Sequence, residues 1–254
     1  MSDYIETRTE DRVLVVRINR PEKKNALTTR MYAALAAALD RAADDAALRA
    51  TLILGVPGIF TSGNDISDFL AVATSGKRGS MAVFDFLERV IMAKKPLIAG
   101  VDGLAIGVGV TMLMHCDHVI ASQNATFKTP FVDLGLLPEA GSSLIGPRLM
   151  GHHRAFALLA MGETLSPSDA WHAGFVNRVV PAGELEAAAL SAAKSIAAKP
   201  PEALAETRAL IRGDRSDILA RMREEAKLWE RRIVSNEARA AFMAFMEKSR
   251  KRAS

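Results

Sequence analysis

Glu139 lies in the run Leu134-Gly135-Leu136-Leu137-Pro138-Glu139-Ala140-Gly141-Ser142-Ser143, a carboxylate after a proline and before four small residues at a predicted helix start toward Met150. A glutamate there can simply answer the helix dipole. The apolar approach from Leu134 to Leu137 points further, because a carboxyl against hydrophobic surface has its pKa raised toward a value useful to a general base. Two other stretches offer groups that can stabilise an anion. In Ile59-Phe60-Thr61-Ser62-Gly63-Asn64-Asp65-Ile66, a small-Gly-Asn-Asp turn between apolar flanks is predicted to leave the N–H groups of Gly63 and Asn64 facing outward without a ladder partner. By itself it also reads as an Asx-type turn ending a strand. Val101 to Thr111 reads as a strand end, a glycine-rich turn and a helix opening near Gly107, whose first N–H groups also lack partners. Two such donors from two loops can hold one developing oxyanion.

The elements that must position these groups follow from pattern and punctuation. Tyr4 to Arg8 and Val13 to Ile18 read as a hairpin, with Thr9 to Arg12 as its turn. Thr28 or Thr29 caps a helix through Ala43, and Thr51 to Gly55 is a buried strand leading into the first donor loop. The segment from Asp68 to Ser80 has no clear period and reads either as a lid over the site or as a surface linker. Met81 to Lys94 is helical, and Lys95-Pro96 stops it before the strand Leu97 to Ala99. Further strands are predicted at Val119 to Ala121, Ala125 to Pro130 and Val176 to Pro181. From Leu185 onward the chain is helical, broken only at Lys199-Pro200-Pro201 and Gly213-Asp214.

Composition narrows the function classes. With 254 residues, 49% of them hydrophobic, the chain can bury one large core with a helical appendage. One cysteine, Cys116, excludes an internal disulfide framework, and the His115-Cys116-Asp117-His118 cluster lacks zinc-ligand spacing, so no metal is expected. The charge of +4 sits in the tail: residues 201–254 carry thirteen Lys/Arg against nine Asp/Glu, with twenty against twenty before them. Those basic residues alternate with Glu on helical patterns, which argues for a solvated face rather than nucleic-acid binding. No run reaches eighteen apolar residues, no signal sequence opens the chain, and Lys-Arg-Ala-Ser is not a peroxisomal ending, so a cytoplasmic protein with no membrane partner is expected.

Taken together and in order, Arg20-Pro21-Glu22-Lys23-Lys24-Asn25-Ala26-Leu27, Phe60 to Ile66, Lys95 to Gly103, Cys116-Asp117 and Pro138-Glu139-Ala140-Gly141 resemble the crotonase (enoyl-CoA hydratase/isomerase) superfamily, from about Ile5 to Lys248. The resemblance implies an α/β fold made as a spiral of repeated ββα units, here residues 1–198, followed by a C-terminal helical oligomerisation region, 199–254. It implies an acyl-CoA thioester substrate, no dissociable cofactor, and a homotrimer or dimer of trimers in which Trp229, Phe242 and Phe245 are buried. Carried over by position, the oxyanion donors are the N–H groups of Asn64, after Gly63, and Val108, after Gly107. Ala26, Leu27, Ser62, Gly63, Asn64, Asp65 and Ile66 line the CoA and thioester path, Lys23, Lys24 or Lys248 meet phosphates, and Asp65 caps its own loop.

The nearest branch is that of Δ3,Δ2-enoyl-CoA isomerases, in which the Pro-Glu loop supplies the catalytic glutamate, here Glu139. Hydratases of the family carry two glutamates, at positions that are Thr111 and Phe131 in this chain, and neither residue exchanges protons at neutral pH. Expected is therefore a 3-enoyl-CoA isomerase with one base. The rivals are another single-base reaction, such as isomerisation of a ring-derived acyl-CoA, and a non-catalytic acyl-CoA-binding or scaffolding protein.

Overall fold

The computed structural model describes residues 4–67 and 82–253, with the side chains of 245 and 248–253 outside the description. The lid reading of Asp68 to Ser80, the burial of Phe245 and the phosphate role of Lys248 fall outside the described residues.

The chain opens with β1 (Ile5–Glu10) and β2 (Val13–Ile18), paired antiparallel. Asp11 and Arg12 both have positive φ, the two-residue turn whose twist suits a hairpin, so the first strand runs two residues further than the pattern predicted. Helix α1 (Thr29–Asp44) follows, capped by the Thr28 side chain, which accepts from the Met31 N–H.

Three ββα units come next. Each places one strand in a large sheet and one in a small sheet before a helix returns the chain. They are β3 (Ala50–Leu54), β4 (Ile59–Thr61) and α2 (Ala82–Ile91); β5 (Leu97–Val101), β6 (Leu104–Ile106) and α3 (Val108–Thr111); and β7 (His118–Ser122), β8 (Thr126–Lys128) and α4 (Ser142–Met150). The small-sheet strand β6 lies where a turn was predicted. Three residues are too few to show a period, and only pairing with β4 and β8 makes them a strand. Beyond these units come α5 (His152–Leu159), α6 (Pro167–His172), β9 (Arg178–Val180), α7 (Leu185–Ala197), α8 (Pro201–Arg212), α9 (Ser216–Ile233) and α10 (Asn236–Ala253).

The large sheet runs β1-β2-β3-β5-β7-β9, parallel from β2 onward, and the small sheet runs β4-β6-β8, all parallel. Central strands β3 and β5 are buried on both faces, hence their sequences are apolar apart from the buried Thr51. One face of the large sheet meets α7, where Leu185, Ala189, Ala193 and Ala197 recur every four residues against Leu52, Leu54, Ile98 and Ile120. The other face joins the main core with α1 and α2. In the small sheet, the loops after Thr61, Ile106 and Lys128 all leave from the same strand ends, so the spiral delivers both donor loops and the Pro130-Phe131 segment to one place.

The C-terminal helices return to this core. Trp229 and Phe242, expected at subunit contacts, pack within their own chain, with Phe242 fully buried against Leu136, Ile233 and Ala238. Deleting its ring leaves a cavity that the neighbouring helices cannot close, so Phe242→Ala should cost about 3–5 kcal/mol of stability. Urea unfolding should show a lower midpoint at unchanged m-value.

Candidate active site

Asn25 organises the first donor loop. It is buried at φ 54°, its side-chain amide donates to the carbonyls of Ile18, Ile59 and Phe60, and its own carbonyl accepts from the Thr61 hydroxyl at 2.6 Å. The loop then crosses to the next turn of the spiral. Gly63 has φ +88°, and a Cβ there would stand 2.9 Å from the Ile106 carbonyl oxygen, so only glycine lets the two donor loops abut. A parallel bridge fixes the far side, with the Leu27 N–H donating to the Gly63 carbonyl and the Asp65 N–H donating to the Leu27 carbonyl. The Tyr32 hydroxyl donates to Asn64 Oδ1 at 2.5 Å.

The N–H groups sort cleanly. That of Gly63, expected to be open, donates to Thr61 Oγ1 at 3.1 Å because the turn folds back on the preceding strand end. Among the described residues, no acceptor pairs with the N–H of Asn64 or of Val108. Val108 is the first residue of α3 and has no earlier helical carbonyl to reach, and the Gly107 N–H is taken by the Lys128 carbonyl.

Glu139 is not in the first turn of α4, contrary to the sequence reading. The helix begins at Ser142, and its entry turn holds Ala140 at φ +62° and Gly141 at φ +68°, so the chain cannot be helical there. A buried alanine in the left-handed region costs about 1 kcal/mol or more, and its surroundings must hold it there. The His115 ring does so from one side. Its Nδ1 lies 2.6 Å from an Arg215 guanidinium nitrogen, which can only donate, so Nε2 carries the proton and donates to the Ala140 carbonyl at 2.7 Å. Burial, with the charge of Arg215 added, holds the imidazole neutral and pushes its pKa down to about 3. Both ring nitrogens are thereby occupied.

Glu139 is only 5% exposed. Thr111 donates its hydroxyl to Oε1 at 2.5 Å, while Oε2 is buried with no partner among the described residues. Burial is the main force pushing its pKa up to about 8, the charge of Glu225 adds to it, and the Thr111 hydroxyl pulls the other way. Glu225, from α9, is buried as well. It accepts from the N–H groups of Gly141 and Ser143 and from the Ser143 hydroxyl, yet burial still lifts its carboxyl above the ordinary range.

One cavity of about 120 Å³ joins these parts. Ser62, Gly63, Asn64, Ile66, Gly107 and Glu139 line it, and Phe84, Phe131, Leu134, Leu136 and Trp229 supply apolar walls. Trp229 meets Phe84 edge to face at 6.4 Å. Ala26, Leu27, Asp65 and Val108 do not line it. Leu27 is buried in the bridge behind the loop, and Val108 adjoins the cavity through Gly107. Asp65 caps the Ser67 N–H and pairs with Arg20 at 2.7 Å. Burial opposes that charge, but Arg20 and Ser67 outweigh it and keep the carboxyl below its usual range.

Sequence reasoning passed over Tyr32, Asn25 and Glu225. Only Glu225 had left a signal: Ile218, Met222, Glu225 and Trp229 follow one helical stripe, and the glutamate interrupts an otherwise apolar face. Thr111, noted for the carboxylate it lacks, turns out to be the direct partner of Glu139.

A buried carboxyl with a raised pKa lining an apolar cavity, together with the N–H groups of Asn64 and Val108 that have no acceptor among the described residues, is equipment that can form and stabilise an enolate. The chain belongs to the enoyl-CoA hydratase/isomerase family, whose model matches residues 8–252. Enoyl-CoA delta isomerase 2 of Rattus norvegicus is 34% identical over 248 residues, 96% of this chain and 63% of the relative, so the chain spans under two thirds of that protein. A probable enoyl-CoA hydratase of Rhizobium meliloti is 33% identical over 94% of this chain and 93% of its own length. The crystal structure of an enoyl-CoA hydratase/isomerase from Pseudoalteromonas atlantica T6c superposes with a TM-score of 0.91 at 38% identity, covering 97% of this chain and 98% of the other. Among the described residues no helix is long and apolar enough to cross a membrane.

If Glu139 works as the ionised base, kcat/KM should climb with pH through about 8, since deprotonation creates the active form. Thr111→Val removes a hydrogen bond that favours the ionised carboxylate, so its inflection should move to higher pH. A wild-type profile flat between pH 6 and 9 would contradict this assignment.

Proposed function

We propose that the chain is a Δ3,Δ2-enoyl-CoA isomerase. The observation that carries the reading is the buried carboxyl of Glu139, the one carboxyl among the described residues that line the cavity, paired with a Thr111 hydroxyl where a two-carboxylate hydratase needs an acid. In the proposed reaction the thioester oxygen accepts from the N–H groups of Asn64 and Val108. Glu139 Oε2 removes a proton from C2 of a 3-enoyl-CoA, and the electron pair delocalises through the thioester as a dienolate. The same carboxyl returns the proton to C4, so the double bond moves from C3–C4 to C2–C3 with atoms and charge conserved. One base reaches both carbons because they lie on one edge of a planar dienolate, and the apolar wall excludes water that would trap it. No dissociable cofactor is required, coenzyme A being part of the substrate. Ser62 to Asn64, Ile66 and Gly107 would meet the thioester, with Lys23, Lys24 and Ala26 toward the CoA.

Incubation with 3-hexenoyl-CoA should give the conjugated 2-enoyl product, whereas crotonyl-CoA should gain water at a negligible rate. Comparable rates for the two would favour a hydratase. Glu139→Gln should lower kcat by about 10²-fold or more while the Kd for an unreactive acyl-CoA changes by less than about tenfold, or 1.4 kcal/mol. A Gln variant that kept a tenth of the wild-type rate would assign the proton transfer to another group.

Assembly as a trimer or dimer of trimers, in the cytoplasm, completes the reading. Its support is α8, which buries none of its residues in this chain and presents Leu210 and Ile211 at 85% and 80% exposure. Replacing both with glutamate should yield monomers in light scattering, and an unchanged oligomer would place the interface elsewhere.

A further inference from the structure

The Pro138 to Gly141 turn is gripped by one helix from two sides. Arg215, the residue just before α9, holds the His115 ring against the Ala140 carbonyl, and Glu225, near the middle of α9, takes the next two available donors, the N–H groups of Gly141 and Ser143 at 2.6 and 3.0 Å. The Ser143 hydroxyl adds a third bond at 2.6 Å. The turn is also pressed onto the helix: a Cβ on Gly141 would stand 2.7 Å from Ile218 Cγ2 and 2.9 Å from the Ile218 carbonyl oxygen. A carboxylate on the apolar stripe of α9 costs more to bury than the leucine or methionine that would pack there, and burial does push its pKa up. Packing therefore does not account for it.

We propose that Glu225 is a positioning residue for Glu139: by gathering the donors of Gly141 and Ser143 it holds Ala140 and Gly141 in the left-handed conformation that keeps the Glu139 carboxyl on Thr111 and in the cavity. The inference rests on Glu139 being the base. Glu225 does not line the cavity, so apart from the charge it places near Glu139 its effect passes through the turn. Trp229, one helical turn further along α9, lines the same cavity, so the helix that steadies the base also forms part of the apolar wall.

The test is Glu225→Gln, which keeps the volume but puts an amide donor against backbone donors. Crystal structures of the wild type and the variant should show Ala140 leaving its left-handed conformation and the Thr111–Glu139 bond broken. Kinetics should show kcat on 3-hexenoyl-CoA 10- to 100-fold lower, with the Kd of an unreactive acyl-CoA within about threefold. An unmoved turn overturns the proposal whatever the rate does, and so does a displaced turn with wild-type kcat while Glu139→Gln is inactive. Activity retained in Glu139→Gln instead refutes the base, and a displaced turn in Glu225→Gln then still upholds the hold of Glu225 on it. Should Glu225→Gln fail to fold, Ser143→Ala removes one of the three bonds and should lower kcat about three- to tenfold at unchanged Kd; an unaltered kcat there overturns the proposal.

Discussion

A carboxyl group held out of water is the constraint to which the rest of this molecule answers. Glu139 has one oxygen on a threonine hydroxyl and the other on no described partner, in a cavity walled by aromatic and aliphatic side chains. Such a group resists ionisation, which makes it a strong base once ionised, and it gains nothing from its own solvation. In the proposed reaction the fold supplies the opposing stabilisation to the charge that appears on the substrate, and it does so with backbone groups. Main-chain N–H donors suit this because their direction is set by the loops and does not reorganise during the reaction.

The spiral explains how donors far apart in sequence come together. Each ββα unit ends its small-sheet strand at the same edge, so Ser62 to Asp65, Gly107-Val108 and Pro130-Phe131 leave the sheet side by side although about forty and sixty-five residues separate the first from the others. Their spacing rests on backbone approach, Gly63 against the Ile106 carbonyl, rather than on side-chain contacts. The anchors lie behind the loops, in the buried amide of Asn25 and the Tyr32 hydroxyl.

The third unit differs from the others because it must carry a side chain rather than an N–H into the cavity. Its turn is strained at Ala140, where the local bond from the Ser142 N–H to the Glu139 carbonyl is joined by long-range partners. The compensation comes from α9, through Arg215 and His115 on one side and Glu225 on the other. The helical C-terminal part is thus built into the wall and supports of the cavity, and Phe242 locks α10 onto Leu136 in that wall.

Much of this was legible in the sequence. The apolar runs of β3 and β5, the helical periods of α1 and α7, and the cap at Thr28 are local signals, set by burial and by backbone chemistry within a few residues. The donor loops and Glu139 could be singled out because unpaired N–H groups and an apolar approach to a carboxylate are written in consecutive residues. What consecutive residues cannot encode is the partner from another part of the chain. The strand at Leu104 to Ile106 exists only through its neighbours, and the helix after Glu139 was delayed to Ser142 by bonds from residues 115 and 225. Thr111 read as a missing acid until the fold laid its hydroxyl on Glu139. Sequence by itself determined which groups could do chemistry, because that depends on residue type and local backbone; tertiary structure alone decided which of them meet and at what pKa, because desolvation and hydrogen bonding at a buried site depend on everything packed around it.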